Sequence, residues 1–177
     1  MDENQGDRLE EVNVLVSSEV MLGEPERMGN GRSRYRTPPL KRGEYVIFGA
    51  EPGNFTELPR SSVDKVIPVV TTEARENKSL SGAAVMFGLD KNGQRSVSCM
   101  SRSNKVYYFE YGTDGKYSKH YLPYGKTHMT NEANLVVGIE IGGRTAYRLQ
   151  SGQLGGTGGG AEMDVLITPD PRTETLD

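Results

Sequence analysis

From Glu44 onward, the hydrophobic positions come in short runs of β-branched and aromatic residues separated by glycine and asparagine. Such runs predict strands joined by tight turns. The clearest case is residues 134–150 (NLVVGIEIGGRTAYRLQ), where Gly142 and Gly143 can adopt the positive φ angles of a two-residue hairpin turn. Apolar and polar residues alternate beyond that turn, so we expect one face of the strand to enter a core.

Turn residues between other apolar runs predict more hairpins. These hairpins span residues 83–100, with a turn at 90–93, and residues 105–121, with a turn at 112–115. Single strands are predicted at 45–48, 63–70 and 163–167. About eight or nine consecutive strands with short connections predict an all-β fold, an antiparallel sandwich or barrel.

Three segments modify this simple pattern. Pro68 cannot donate to a sheet ladder, which predicts an edge or bulge position for it. Residues 72–80 (TEARENKSL) predict a short surface helix. Residues 9–22 are compatible with a helix or a strand, and the alternating valines at 12, 14 and 16 favour the strand.

The two ends of the chain differ in composition from the middle. Residues 1–43 predict a flexible N-terminal arm, acidic and then basic, because residues 23–43 are rich in glycine and proline and nearly lack apolar side chains. Residues 44–168 predict one β-rich globular domain, and residues 169–177 a short, acidic, flexible tail. The glycine tract at 152–160 predicts a flexible surface loop or a loop that orders against a partner subunit.

The charge is distributed unevenly, although the formal net charge is only −3. Residues 1–26 contain eight carboxylates and a single cation, whereas residues 27–42 contain no acid. We predict that the basic segment binds an anionic partner, the phosphate groups of lipid or RNA, and that the acidic segment competes for it. A solvated linker is the alternative. The predicted binding residues are Arg27, Arg32, Arg34, Arg36, Lys41 and Arg42.

A second candidate surface is rich in tyrosine and lysine. Aromatic rings interleaved with cations are typical of single-stranded nucleic-acid binding, but alternation in strands places about half of the rings inward. Core packing combined with a protein interface is therefore the favoured interpretation, since tyrosine is common at interfaces. The predicted interface residues are Tyr107, Tyr111, Lys116, Tyr117, Lys119, Tyr121 and Tyr124.

The motifs that would indicate catalysis or cofactor binding are incomplete. Gly-Lys-Thr at 125–127 lacks the first glycine of a phosphate-binding loop, and no helix-forming sequence follows the glycine tract. Cys99 lies in an alternating strand and is expected to be buried, while His120 and His128 are expected at the surface. We therefore predict no enzyme, no metal, no cofactor and no small-molecule substrate. The carboxylates considered for acid–base chemistry and expected to face solvent are Glu110, Asp114, Glu132 and Glu140.

Targeting signals also bear on function. The N-terminus, MDENQGDRLEE, is acidic where a secretory signal is basic and then apolar, and the apolar runs are far shorter than the about 18 residues of a spanning helix. The sequence thus predicts an intracellular protein that is not secreted and has no transmembrane segment.

The layout resembles the matrix proteins of plant-infecting rhabdoviruses. The resemblance lies in the compact single-domain size, the N-terminal part with its basic, proline-containing RSRYRTPPLKR, the single cysteine and the absence of a signal peptide. It implies a non-enzymatic structural protein of the virion and host cytoplasm that self-associates, condenses the nucleocapsid and bridges it to the membrane. The alternative is a host-interaction or single-stranded nucleic-acid binding module that uses the tyrosine and lysine surface.

Overall fold

The computed structural model describes residues 14–29, 31–59, 63–152 and 162–169. Half of the described residues lie in strands and 3% in helix, which confirms the all-β fold. The helix, α1, spans Thr72–Arg75. The strands in chain order are β1 (Leu15–Val16), β2 (Val20–Met21), β3 (Glu26–Arg27), β4 (Ser33–Arg36), β5 (Leu40–Lys41), β6 (Glu44–Phe48), β7 (Lys65–Val70), β8 (Val85–Leu89), β9 (Arg95–Cys99), β10 (Lys105–Tyr111), β11 (Tyr117–Leu122), β12 (Thr127–Thr130), β13 (Val136–Ile141), β14 (Arg144–Ser151), β15 (Glu162–Met163) and β16 (Val165–Pro169).

The described strands form two large sheets and one short pair. Sheet 1 has the order β1-β7-β6-β8-β9-β12, with β2 also paired to β7. Sheet 2 has the order β11-β10-β13-β14-β16-β4-β3, and β5 pairs with β15. The pairings are antiparallel except those of β7, which runs parallel to β1, β2 and β6. The prediction of an antiparallel architecture is therefore confirmed for most of the fold, with a parallel set at one side of sheet 1.

The main core lies between the two sheets, as in a sandwich. Val46 and Phe87 of sheet 1 belong to the same buried cluster as Val137 and Leu149 of sheet 2. The rings of Phe48 and Tyr147 meet across the interface edge to face, with centroids 5.2 Å apart. Burial of this apolar surface is the main stabilising term of the fold.

A second, smaller core covers the outer face of sheet 1. Alternation along β6 sends Val46 and Phe48 into the main core and sends Tyr45 and Ile47 to the other side. Residues of the connection between β6 and β7 fold over that side. The members of this second core are Tyr45, Ile47, Leu58, Val63, Val66 and Met86.

The three predicted hairpins are present as β8–β9, β10–β11 and β13–β14. In the β13–β14 turn, Gly142 and Gly143 both have positive φ, 64° and 80°, as the two-residue turn requires. The pairing of these strands shifts between Ile139 and Glu140, where a bulge interrupts the regular register. Strand β12 was not predicted, because its sequence (THMT) has no clear alternation of apolar and polar positions.

Pro68 lies inside β7. On one side of β7, two short strands, β1 and β2, pair with it and leave a gap opposite Pro68. The N–H groups of Ser17 and Leu22 donate to the carbonyls of Val66 and Val70, so these positions of β7 point their backbone groups towards β1 and β2. Pro68 lies between them, opposite the gap that separates β1 from β2. The missing N–H of proline therefore leaves no ladder position unpaired, which is why a proline is tolerated here.

Two other local predictions hold in a shorter form. The helix predicted over residues 72–80 is confirmed only for Thr72–Arg75, where the hydroxyl of Thr71 accepts the Ala74 N–H at 3.2 Å as an N-terminal cap. The strand favoured over residues 9–22 corresponds to β1 and β2. Residues 9–13 lie outside the described part of the chain.

The prediction of a mobile linker over residues 23–43 is wrong for the described part of that range. Strand β4 pairs with β16, and the Thr37 N–H donates to the Val165 carbonyl at 3.0 Å, while the Val165 N–H donates to Thr37 Oγ1 at 2.9 Å. Leu40 is fully buried, and Tyr35 packs against the main core. The partners are about 130 residues away along the chain, so local composition could not reveal them. The folded domain thus begins before residue 44.

Candidate functional site

Four tyrosines and one lysine of the β10–β11 hairpin form one continuous surface. Cross-strand register places Tyr107 opposite Tyr121, Phe109 opposite Lys119, and Tyr111 opposite Tyr117. Directly opposed residues share a face, and this face points away from the main core. We call the surface made by Tyr107, Tyr111, Tyr117 and Tyr121 the tyrosine strip.

The rings of the tyrosine strip contact one another in pairs and remain accessible. Tyr107 and Tyr121 have centroids 5.7 Å apart, and Tyr111 and Tyr117 meet edge to face at 5.2 Å. Tyr111 is 60% exposed and Tyr121 is 56% exposed. Phe109, between the two pairs, is buried. Large exposed rings held in fixed cross-strand pairs are a feature of surfaces that bind partners.

Lys119 is already engaged within this surface. Its ammonium donates to Glu140 Oε2 at 2.7 Å and lies 4.2 Å from the centroid of the Tyr107 ring. The Glu140 side chain is largely buried, so the expectation that it faces solvent is wrong. The cation of the strip is therefore neutralised by a carboxylate of the neighbouring strand β13.

Two of the seven predicted interface residues lie elsewhere. Lys116 is exposed in the β10–β11 turn, where its backbone N–H donates to Asp114 Oδ1 at 3.0 Å. Tyr124 lies in the turn between β11 and β12, and the guanidinium of Arg102 stacks over its ring at 4.4 Å. That contact joins two loops 22 positions apart. No spacing rule in the sequence pointed to it.

The basic segment is largely paired with carboxylates. Arg34 donates to Glu26 Oε1 at 2.8 and 3.0 Å, and Arg36 donates to Glu26 Oε2 at 3.0 Å and to Asp164 Oδ2 at 2.6 Å. The hydrogen bonds from Arg34 and Arg36 hold the pKa of Glu26 below its usual value. The hydrogen bond to Asp164 raises the pKa of Arg36. Glu26 belongs to the acidic segment, so part of that segment does contact the basic one.

The other predicted cations of this segment are less engaged. Within the described residues, Arg27, Lys41 and Arg42 are exposed and form no ion pair. Arg32 is partly buried. The cations available to an anionic partner are thus fewer than composition indicated.

The tyrosine strip and part of the basic segment, Arg34 and Arg36, lie on the outer face of sheet 2, at opposite ends. Successive cross-strand partners lead from the tyrosine strip to the basic segment, and all of them share one face. This row of residues runs through Lys119, Phe109, Val136, Gln150, Leu166 and Arg36. Local sequence patterns do not indicate this common face, because it depends on the strand order.

A stack of three rings joins Tyr108 and His120 of sheet 2 to His128 of β12, an edge strand of sheet 1. Tyr108 lies between His120, with centroids 5.0 Å apart, and His128, with centroids 3.7 Å apart. The side chain of His128 is only 16% exposed, so the expectation of a surface histidine is wrong for this residue. Burial lowers the pKa of His128, while the nearby Glu110 carboxylate acts in the opposite direction.

Two carboxylates, Glu110 and Glu132, line a cavity of about 300 Å³ together with His128 and Ser118. A Ser-His-acid relay needs the hydroxyl and the acid on opposite nitrogens of one imidazole. Here Ser118 Oγ, at 3.0 Å, and Glu110 Oε1, at 3.1 Å, both approach Nε2 of His120. This arrangement orients the ring without forming the relay.

The remaining chemical candidates can be placed as well. Cys99 is buried in β9, as expected, and burial raises the pKa of its thiol. Among the described residues, no group of three or more His, Cys, Asp or Glu side chains is placed to hold a metal ion. In the same residues, no helix combines the length and the apolar character needed to cross a membrane. Of the glycine tract at 152–160, residues 153–160 lie outside the described residues.

The chain was also compared with known proteins. No protein-family model matches it, and neither the curated proteins nor the solved structures contain a match.

Proposed function

We propose that this protein is a non-enzymatic assembly protein that associates with further copies of itself through the tyrosine strip. The observation that carries the proposal is the exposure of Tyr111 and Tyr121, 60% and 56%, on the outer face of an edge hairpin. Each ring combines a large apolar body with a hydroxyl that can donate or accept a hydrogen bond. Burial of such rings supplies much of the free energy of protein interfaces.

The position of the strip at a sheet edge supports a second copy as the partner. Within the described residues, β11 pairs with β10 alone, so the N–H and C=O groups along its other side are available. An edge strand of this kind can be extended by a strand of another chain. A two-fold axis would bring two β11 strands together in antiparallel orientation and place both tyrosine strips on one continuous face.

The charges around the strip favour protein over nucleic acid. Binding of a phosphate backbone needs cations whose counterions can be released. Lys119 is instead paired with Glu140 at 2.7 Å, which leaves the centre of the strip without a free cation. A tyrosine surface whose central lysine is already paired with a carboxylate fits a protein interface better than a single-stranded nucleic acid.

The matrix-type role, in which the protein bridges nucleocapsid and membrane, stays a prediction. It would draw on Arg27, Lys41 and Arg42, the exposed cations of the basic segment. About 1 kcal/mol of attraction per cation near an anionic bilayer would make three such residues a weak anchor for one chain. Self-association would strengthen the attachment, because many weak sites then act together.

The test is the molar mass of the full chain as a function of protein concentration, measured by light scattering. We expect the wild-type chain to form oligomers and the double variant Y111S/Y121S to stay monomeric. Y124S is the matched control, because it removes an exposed tyrosine outside the strip, and it should associate like the wild type. Circular dichroism of all three proteins shows whether each is folded.

Two results would contradict the proposal. One is a monomeric wild-type chain at all concentrations up to about 100 μM, since specific homodimers of ordinary interface size associate below that range. The other is unchanged oligomerisation of Y111S/Y121S. If the wild type is monomeric and binds a single-stranded oligonucleotide in a manner lost in Y111S/Y121S, the strip is a nucleic-acid surface instead.

A further inference from the structure

A cavity of about 530 Å³ lies beside the second core, on the outer side of sheet 1. Its walls are residues 54–59, 81–83, 99–100, 102–103 and 124–125, all in loops except Cys99, the last residue of β9. Sites for small molecules typically have volumes of about 300 to 1,000 Å³ and combine apolar walls with a few well-placed polar groups. The size of this cavity falls within that range.

One side of the cavity is apolar. Phe55, Leu58, Ala83 and Met100 line it, and the same residues pack against the second core. An aromatic ring, two aliphatic side chains and a flexible thioether provide a surface that can enclose an aromatic or aliphatic body. The cavity can therefore remove an apolar ligand from water.

The other side presents a fixed guanidinium. The Arg102 side chain lies over the Tyr124 ring at 4.4 Å, and its Nη2 donates to the Tyr124 hydroxyl at 3.4 Å. Both residues line the cavity, and within the described residues Arg102 forms no ion pair with a carboxylate. A guanidinium whose plane is held by an aromatic ring keeps its remaining donors free for a carboxylate.

Two serine hydroxyls line the same cavity as this guanidinium. Ser81 Oγ lies 3.0 Å from Ser103 Oγ, and both residues line the cavity. Asn104 ties the two loops together: its Oδ1 accepts the Ser81 N–H at 2.8 Å, and its Nδ2 donates to the Ser79 carbonyl at 2.8 Å. These contacts hold the hydroxyls in place before any ligand arrives, which reduces the entropy lost on binding.

We propose that this cavity binds a small organic anion, a molecule with an apolar body and one carboxylate. The apolar body would lie on Phe55 and Met100, and the carboxylate would accept hydrogen bonds from Arg102 and the neighbouring hydroxyls. Glu57 is the carboxylate in the lining of the cavity. Its charge opposes a second negative group on the ligand, so a monoanion is favoured over a phosphorylated compound.

The probe for this site is naphthalene-2-carboxylate, compared with its neutral amide, in isothermal titration calorimetry on the full chain. We expect saturable binding of the carboxylate at one site, and about tenfold weaker binding of the amide, since a charge-assisted bidentate contact is lost. R102Q should remove the difference between the two probes. E57Q should act in the opposite direction and strengthen binding of the carboxylate.

K126Q is the matched control, because it removes a positive charge from the same turn as Tyr124, outside the cavity lining. It should bind the carboxylate as the wild type does. Absence of saturable binding to the wild-type chain would overturn the proposal, as would equal binding by the wild type and a folded R102Q. If R102Q does not fold, unchanged affinity of E57Q and an equal affinity for acid and amide would overturn it as well. None of these outcomes depends on self-association.

Discussion

The outer face of sheet 1 is covered by other residues of the chain, whereas part of the outer face of sheet 2 is exposed. On sheet 1, Tyr45, Ile47 and Met86 are fully buried, because Leu58 and Val63 from the connection between β6 and β7 fold over them. On sheet 2, the rings of the β10–β11 hairpin have no such cover from the described residues and stay more than half exposed at two positions.

Composition alone does not separate the two faces, since both are built from aromatic and aliphatic strand residues. What separates them is whether the chain supplies a covering segment. A sandwich that covers one face and leaves rings exposed on the other has a surface suited to a partner.

The largest effect is expected from truncating a buried side chain of the second core. Ile47→Ala should destabilise the protein by about 2 to 5 kcal/mol, because it removes buried methyl groups and leaves a cavity in the second core. Tyr121→Ala on the uncovered face should cost less than about 1 kcal/mol, since the ring is already in contact with water. Urea unfolding of both variants measures the difference. Equal losses would show that the two faces do not differ.

A glycine pair on the two outer faces provides a second comparison. A Cβ at Gly88 would lie 2.3 Å from the Glu44 carbonyl oxygen and 2.7 Å from the Tyr45 ring, so Gly88→Ala should cost about 1 to 3 kcal/mol. A Cβ at Gly138 would lie 3.3 Å from the Phe109 ring, which can move slightly. Gly138→Ala should therefore change the free energy of unfolding by less than about 1 kcal/mol. A reversed order in chemical denaturation would contradict the assignment of these faces.

A variant that breaks the ion pair between Arg36 and Asp164 tests how much this contact stabilises β4 at its end of sheet 2. The Asp164 carboxylate is almost fully buried, while Arg36 is partly exposed. Asp164→Asn should cost about 1 to 2 kcal/mol, a value reduced by the solvent around Arg36. It should also increase proteolysis of the segment between β3 and β5. Glu26→Gln, at an exposed site, is the matched control and should have a smaller effect on both measurements.

The smallest effect is the pH dependence of stability that arises from His128, in the ring stack between the two sheets. Burial lowers the pKa of His128, so the folded state favours the neutral ring. Its contribution to stability is present above the unfolded pKa of about 6.5 and is lost as the pH falls below that value towards the folded pKa. The groups that face His128 are Tyr108, Glu110 and His120.

We therefore expect the wild type to lose more stability between pH 8 and pH 5 than His128→Phe, which keeps a ring for the stack with Tyr108. Urea unfolding at several pH values provides the measurement. His120→Phe is the control, because that ring is more exposed and lies on the other side of Tyr108. An identical pH dependence of the wild type and His128→Phe would refute a role for burial of this histidine.

Much of the local structure could be predicted because its causes are local. Glycines at the β13–β14 turn, the Asp90 turn and the alternation along β14 each act over a few residues, and the hairpins appear where these signals lie. The predicted tyrosine surface also follows from alternation, since Tyr107, Tyr111, Tyr117 and Tyr121 come to one face of a hairpin. Tyr124 could not be assigned in this way, because it lies beyond the strand.

The sequence by itself thus determined the all-β class, the hairpins and the face on which the tyrosines lie, because alternation and turn chemistry depend on near neighbours. Only the tertiary structure decided that the basic segment is docked and partly neutralised, through Asp164 and Val165 about 130 residues away. It also decided that His128 is buried and that Arg102 lies over Tyr124. Contacts between distant segments depend on strand order and packing, and no local pattern records them.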